Sequence, residues 1–402
     1  MRKFSRLLLL VPALALLLGL AVQASRPGVL TIWADDTRTP VFRALGERFT
    51  KQTGVPVQVV EQPFGDIRDR VAIAGPAGEG PDLLIGAHDW LGQLVAGGLI
   101  EPLEFMTDRA GEFNPAAVRA FTTGGRVYAV PYTVEAIALF HNKKLLPNPP
   151  RTWAELVQTS LRLTDRTRGQ FGFVLQQNDP YHSYPIFSGS GGFIFRQGAD
   201  GTFNPNNLGL DSPGGIAGAR LIERMLRDGV MPSGIDYSGM TTLFKEGRAA
   251  MVMTGPWAIA DFKAAGVDYG IARIPAIDGN PARPFVGVQG VMLSAFSVNK
   301  LLAATFLNDF VATDASMQAI FERDRRPPAF NAVAERLRDD PDIQAIVASA
   351  ATGVPMPSIP EMSAVWGAWT DALALIFNRQ APADQAIRDA AQRIRVTIAE
   401  SK

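Results

Sequence analysis

Past residue 24, short apolar runs alternate with stretches of helical spacing. Residues 30–34 (LTIWA) have the length and composition of a strand. Pro40 suits a first helical position, and Phe42, Leu45 and Phe49 follow at helical spacing up to Gly54. Residues 55–60 read as a second strand, 66–74 as a helix, 82–87 as a third strand, and 91–96 as a helix stopped by Gly97 and Gly98. The β-α-β-α-β order predicts an open, largely parallel sheet with helices on both faces.

The order recurs further on. Residues 171–176 and 249–253 read as strands and 214–226 as a helix, while Thr152 caps a helix that starts at Trp153. From about residue 303 the chain is mostly helical, with a final amphipathic helix from residue 379. The stretch MPSIPEMSAVWGAW (residues 356–369) sets prolines before a helix, with Ser363 at a capping position. Trp366 and Trp369 then lie three residues apart, on one side of that helix, as core or as an open apolar platform. There is no tandem repeat, and the economical reading is an α/β protein of two lobes.

At 402 residues the chain has length for two domains. Residues 1–24 combine a basic head, an apolar run over 7–22 broken by Pro12 and Gly19, and a small residue at Ala24. That layout predicts a secretory signal cleaved before Ser25; the other reading, a membrane anchor, asks a rather short run to span a bilayer. The chain has no cysteine, hence no disulfide framework and no site for a thiol-linked lipid. The expectation is a mature protein free in a periplasmic space. Charge is balanced, 39 basic against 39 acidic residues, which gives no footprint for nucleic acid. The basic cluster ERDRRPP, around Arg323, Arg325 and Arg326, is interleaved with acids and reads as a solvated turn.

Four segments with chemically distinctive side chains each follow a predicted strand: DDTR (35–38), HDW (88–90), NDPYHSYP (178–185) and GPW (255–257). Open α/β sheets bind ligands outside the carboxyl ends of their strands. Trp257, Trp366 and Tyr181 offer flat faces for the C–H side of a sugar ring, and Asp36, Asp89, Glu135 and Asp179 offer acceptors for its hydroxyls. Each has a plainer reading. Trp257 could be core, although Gly255-Pro256 turns it toward a rim, and Trp33 inside its strand is core. Asp36, Asp89 and Asp179 could each cap a helix. Glu135, at the head of the apolar run AIALF, is harder to explain as a solvated charge. His88, His141 and His182 have no metal-ligand spacing, and no phosphate loop or nucleophile elbow is present, so no cofactor is expected. A two-carboxylate glycosidase stays open, because carboxylate separation is invisible in sequence.

The segments AHDWLGQLVAGGLIEPL, YAVPYTVEAIALFHNKKLLPNPPRTWAEL, YGIARIPAIDGNPARPFVGV and MPSIPEMSAVW resemble the maltose- and maltodextrin-binding proteins of bacterial ABC importers. The resemblance runs in order from about residue 30 to 394. It implies a two-lobed periplasmic binding protein, not an enzyme, that closes on a sugar and delivers it to permease subunits in the inner membrane. The implied lobes are residues 25–133 with 291–335, and 138–285 with 342–402, with crossings near 134–137, 286–290 and 336–341. A mostly open ensemble needs roughly 5 kcal/mol of differential affinity to become mostly closed.

Carried over residue by residue, the stacking positions are Trp257, Trp366 and Tyr181, and the hydroxyl-binding acids are Asp36, Asp89, Glu135 and Asp179. Thr37 or Arg38 stands where the family has a lysine. Trp90 replaces an arginine, Gly86 a tryptophan, and His182 an aromatic residue. Gly367 and Thr370 replace a tyrosine and an arginine, and Trp369 replaces an aliphatic residue. The expected ligand-binding set is therefore Asp36, Arg38, Asp89, Trp90, Glu135, Asp179, Tyr181, Trp257, Trp366 and Trp369. The implied ligand is maltose or maltodextrin, with trehalose or another glucoside as the alternative, and the implied state is a monomer. A polyol phosphate would want a basic cluster that the candidate wall lacks.

Overall fold

The computed structural model describes residues 25–199 and 201–401; the expected signal sequence lies outside them. The chain divides into two units. One runs up to Tyr132 and takes in Gln289–Asp324 and Ala329–Ala332; the other comprises Thr133–Val288, Arg325–Pro328 and the chain from Val333.

The first unit begins with β1 (Leu30–Ala34), α1 (Thr39–Thr53), β2 (Val57–Glu61), α2 (Phe64–Ala74) and β3 (Leu83–Ala87). β1 lies between β2 and β3 and is parallel to both, with Trp33 buried as expected. Helix α1 starts at Thr39 with Pro40 in its first turn and stops at Gly54, whose φ of 76° only glycine adopts freely. Buried Asp82, just before β3, accepts from the Thr31 amide at 2.8 Å and the Ser297 hydroxyl at 2.6 Å, so its burial is compensated.

β4 (Ala129–Ala136) carries the chain into the second unit, and β5 (Ala138–Asn142) follows after a single residue. Then come β6 (Phe171–Leu175), α3 (Pro180–Gly189), β7 (Ala249–Thr254) and β8 (Tyr269–Ala272). Their sheet has the order β8-β5-β7-β6, in which only β6 and β7 are parallel. The sheet is thus more mixed than the expected parallel arrangement. A parallel pair needs a long crossover, which helices supply between β6 and β7. β9 (Phe285–Ser294) starts in the second unit and returns the chain to the first, where it runs antiparallel to β3.

The C-terminal part is helical, ending in α4 (Ser363–Phe377) and α5 (Ala383–Glu400), which pack on each other. α5 starts later than the periodicity indicates, because Arg379 turns left-handed at φ 57° and Pro382 precedes the helix. Thr152 caps its helix as expected, accepting from the Glu155 amide at 3.2 Å. Ser363 does not cap α4. It is already helical, with Met362 at the cap position, and its hydroxyl donates to the Pro360 carbonyl at 2.8 Å.

Trp369 settles into the core. It is 0 % exposed, with its ring 4.9 Å from Phe187 and 6.3 Å from Tyr184, both edge-on. This corrects its place among the expected ligand-binding residues: a ring enclosed by its own unit has no face for a sugar. Trp369→Ala should cost about 3–5 kcal/mol of stability, as expected for deleting a buried aromatic side chain. Denaturant unfolding measures this, and a loss below 1 kcal/mol would contradict the core assignment.

Candidate functional site

Of the six tryptophans, Trp33, Trp90, Trp153 and Trp369 are buried, whereas Trp257 and Trp366 keep part of their surface in solvent. Both belong to the second unit and flank one aromatic series. Tyr181 lies 6.1 Å from Trp257 and 6.1 Å from Phe285, and Phe285 lies 5.9 Å from Trp366. The parts come from four places. Trp257 follows β7 through Gly255, whose lack of a side chain is required: a Cβ there would stand 2.1 Å from the indole. Tyr181 sits in the first turn of α3, Phe285 opens β9, and Trp366 projects from α4.

The polar groups converge on the same series. Glu135, near the end of β4, is 4 % exposed. A methyl group at Gly287 would lie 3.3 Å from the Tyr181 hydroxyl, 3.4 Å from Glu135 Cγ and 3.5 Å from Met356 Cε, so these three meet over one bare stretch of β9. Arg326 donates from Nη1 to Glu135 Oε2 at 3.0 Å, and its guanidinium lies over the Trp257 ring at 5.6 Å. The solvated reading of ERDRRPP is therefore wrong at Arg326, which is buried because its charge is matched by Glu135.

Asp179 serves as the cap of α3, accepting from the His182 amide at 3.1 Å, while His182 Nδ1 lies 3.2 Å from its other oxygen. Burial works against ionisation of this carboxyl. The His182 ring and the backbone N–H groups of His182 and Tyr181 outweigh burial and hold its pKa below the ordinary aspartate value.

The remaining expected residues gather in the first unit. Asp36 faces solvent, and Asp89 and Trp90 are buried in the short turn His88–Trp90 after β3. Arg38 is buried too: it pairs with Asp35, donates from Nε to the Tyr132 hydroxyl at 2.6 Å and lies over Phe64 at 4.7 Å. Phe64 in turn is 4.8 Å from Trp90. Among the described residues no cluster is placed to hold a metal ion, and no helix is long and apolar enough to cross a membrane.

The sequence model of the bacterial extracellular solute-binding proteins matches residues 44–351. The chain belongs to the bacterial extracellular solute-binding proteins. Among its relatives, a galactooligosaccharide-binding protein of Bacillus subtilis is 31% identical over 92% of this chain and 90% of its own. The maltodextrin-binding protein MdxE of the same organism is 30% identical over 87% of this chain and 84% of its own. The structure of a Thermus thermophilus maltotriose-binding protein bound with maltotriose superimposes with a TM-score of 0.86 at 32% identity, covering 92% of this chain and 100% of that one.

Within this solute-binding protein, two departures noted in sequence are one packing event. A Cβ on Gly86 would stand 2.0 Å from the Trp90 ring, so the indole of Trp90 fills the space above Gly86. Phe285, Gly287 and Arg326 were not singled out in sequence. The motif PFVGV held the first two in view, but nothing local to Arg326 pointed to a partner 191 residues away.

Asp179→Ala removes the α3 cap and should cost about 1 kcal/mol at neutral pH. Because the folded carboxyl titrates below its ordinary value, this contribution is present above the ordinary aspartate range, from about pH 5 upward, and is lost as pH falls through the folded pKa. Unfolding of both proteins across acid pH should show a gap that persists down to about pH 5 and closes only as pH falls further, through the folded pKa. A gap that closes between pH 7 and 5 would contradict the assignment.

Proposed function

We propose that this protein is the solute-binding component of an ABC sugar importer and that its aromatic cradle takes a glucosyl ring of a maltooligosaccharide. The observation that carries the reading is the placement of the two incompletely buried tryptophans on one aromatic series with Tyr181, backed by the carboxylate of Glu135. Sugar C–H faces lie well on such rings, and a buried carboxylate beside them discriminates between hydroxyl patterns, because leaving it unpaired is costly. The maltodextrin- and maltotriose-binding relatives support the same ligand class. Asp36, Arg38 and Asp89 belong to this proposal as further sugar-contacting candidates, whereas Trp90, enclosed between Gly86 and Phe64, packs within its own unit as Trp369 does, and Asp179 orients the start of α3 and with it Tyr181.

The galactooligosaccharide-binding relative favours a second reading, in which a galactosyl ring occupies the cradle. The two sugars present similar apolar faces and differ in the direction of a hydroxyl, so polar groups rather than indoles would choose between them. In either reading the protein is exported, is cleaved before Ser25, works free in the periplasm as a monomer with permease subunits, and performs no chemistry on the sugar.

Calorimetric titration of the mature protein with maltotriose, maltose, trehalose and a galactooligosaccharide tests this. Saturable binding of maltotriose is expected, with no hydrolysis of a chromogenic glucoside. Trp366→Ala should weaken maltotriose binding about tenfold, some 1.4 kcal/mol, with the thermal midpoint nearly unchanged. A collapsed midpoint with unaltered affinity would return Trp366 to the core and remove the reading's main support.

A further inference from the structure

Arg326 lies behind the cradle with its side chain 2 % exposed, on a segment that the backbone forces into place. Arg325 holds a φ of 56°, a left-handed conformation uncommon outside glycine. The Pro327 carbonyl accepts from the Thr133 hydroxyl at 2.6 Å and from the Val134 amide at 3.0 Å, which pins the segment to β4 beside Glu135. Arg325 itself pairs with Asp340 at 2.9 Å. Sparsely populated backbone conformations persist where the surroundings over-determine them, and they cluster at ligand sites.

We propose that Arg326 is a positioning residue for sugar recognition, acting through Glu135. Its guanidinium fixes the direction of the Glu135 carboxylate and lies over one face of the Trp257 indole. The Nη1–H of a planar guanidinium donates in a fixed direction, which a lysine ammonium, a point charge on a flexible stem, does not. The inference rests on the sugar-binding reading above and adds to it a residue that reads the ligand indirectly.

The test is a double-mutant cycle on the mature protein, with maltotriose affinity and thermal midpoint measured for wild type, Arg326→Gln, Glu135→Gln and the double variant. The proposal expects Arg326→Gln to weaken affinity tenfold or more in the wild-type background and less than twofold when Glu135 is already glutamine. Arg326→Lys should keep the midpoint closer to wild type yet still lose affinity several-fold, and it replaces Arg326→Gln in the cycle if that variant does not fold. A midpoint that falls while affinity stays at the wild-type value makes the pair purely structural and overturns the proposal. Equal affinity losses in both backgrounds overturn it as well, since Arg326 would then act independently of Glu135. Wild-type protein that binds none of the four sugars overturns the sugar reading and this proposal together; wild-type binding with an unaffected Arg326→Gln overturns the proposal alone.

Discussion

A carboxylate buried in an apolar strand has to be neutralised, and much of the second unit's site follows from how this is done for Glu135. Left without a cation, such a group would cost several kcal/mol in desolvation. Arg326 supplies the charge from a segment far away in sequence, and the cost of bringing it there is visible in the backbone. Arg325 turns left-handed, Pro327 gives its carbonyl to Thr133 and Val134, and the short segment Arg325–Pro328 joins the second unit while the chain on either side of it belongs to the first. The same guanidinium then reaches the Trp257 ring, so one ion pair links the acid, the indole and the strand that carries the chain across.

Bare backbone is the second constraint. An indole lies flat only where no side chain intervenes, and glycine provides this twice. Gly255 lies beneath Trp257 and Gly86 beneath Trp90, at distances where any Cβ would collide with the ring. The outcomes differ with the surroundings. Trp90 is enclosed and packs beside Phe64, while Trp257 keeps surface in solvent next to Tyr181. Gly287 does the same for polar groups, letting the Tyr181 hydroxyl and Glu135 approach over β9.

What could be read in sequence was what is local. Apolar spacing and capping chemistry located α1, β1, β3 and β6 within a residue or two, and the cap at Thr152 was legible from a threonine standing directly before Trp153. The pairing of the second sheet was not, because periodicity marks a strand but not which strands it meets, and β5 runs antiparallel to both β7 and β8. Trp366 and Trp369 show the limit of helical spacing. A common side of a helix is broad enough for one indole to sit in the core and its neighbour at the boundary. Arg326 was out of reach altogether, since charge interleaving describes a turn's composition and not which of its residues meets a buried acid.

A crystal structure of the mature protein with maltotriose would show which groups of the cradle meet the sugar. A glucosyl ring is expected with its C–H face against Trp257 or Trp366 and a hydroxyl within hydrogen-bonding distance of Glu135, with Arg326 still paired to that carboxylate. Sugar bound away from both indoles, or a Glu135 carboxylate turned from the ligand, would contradict it.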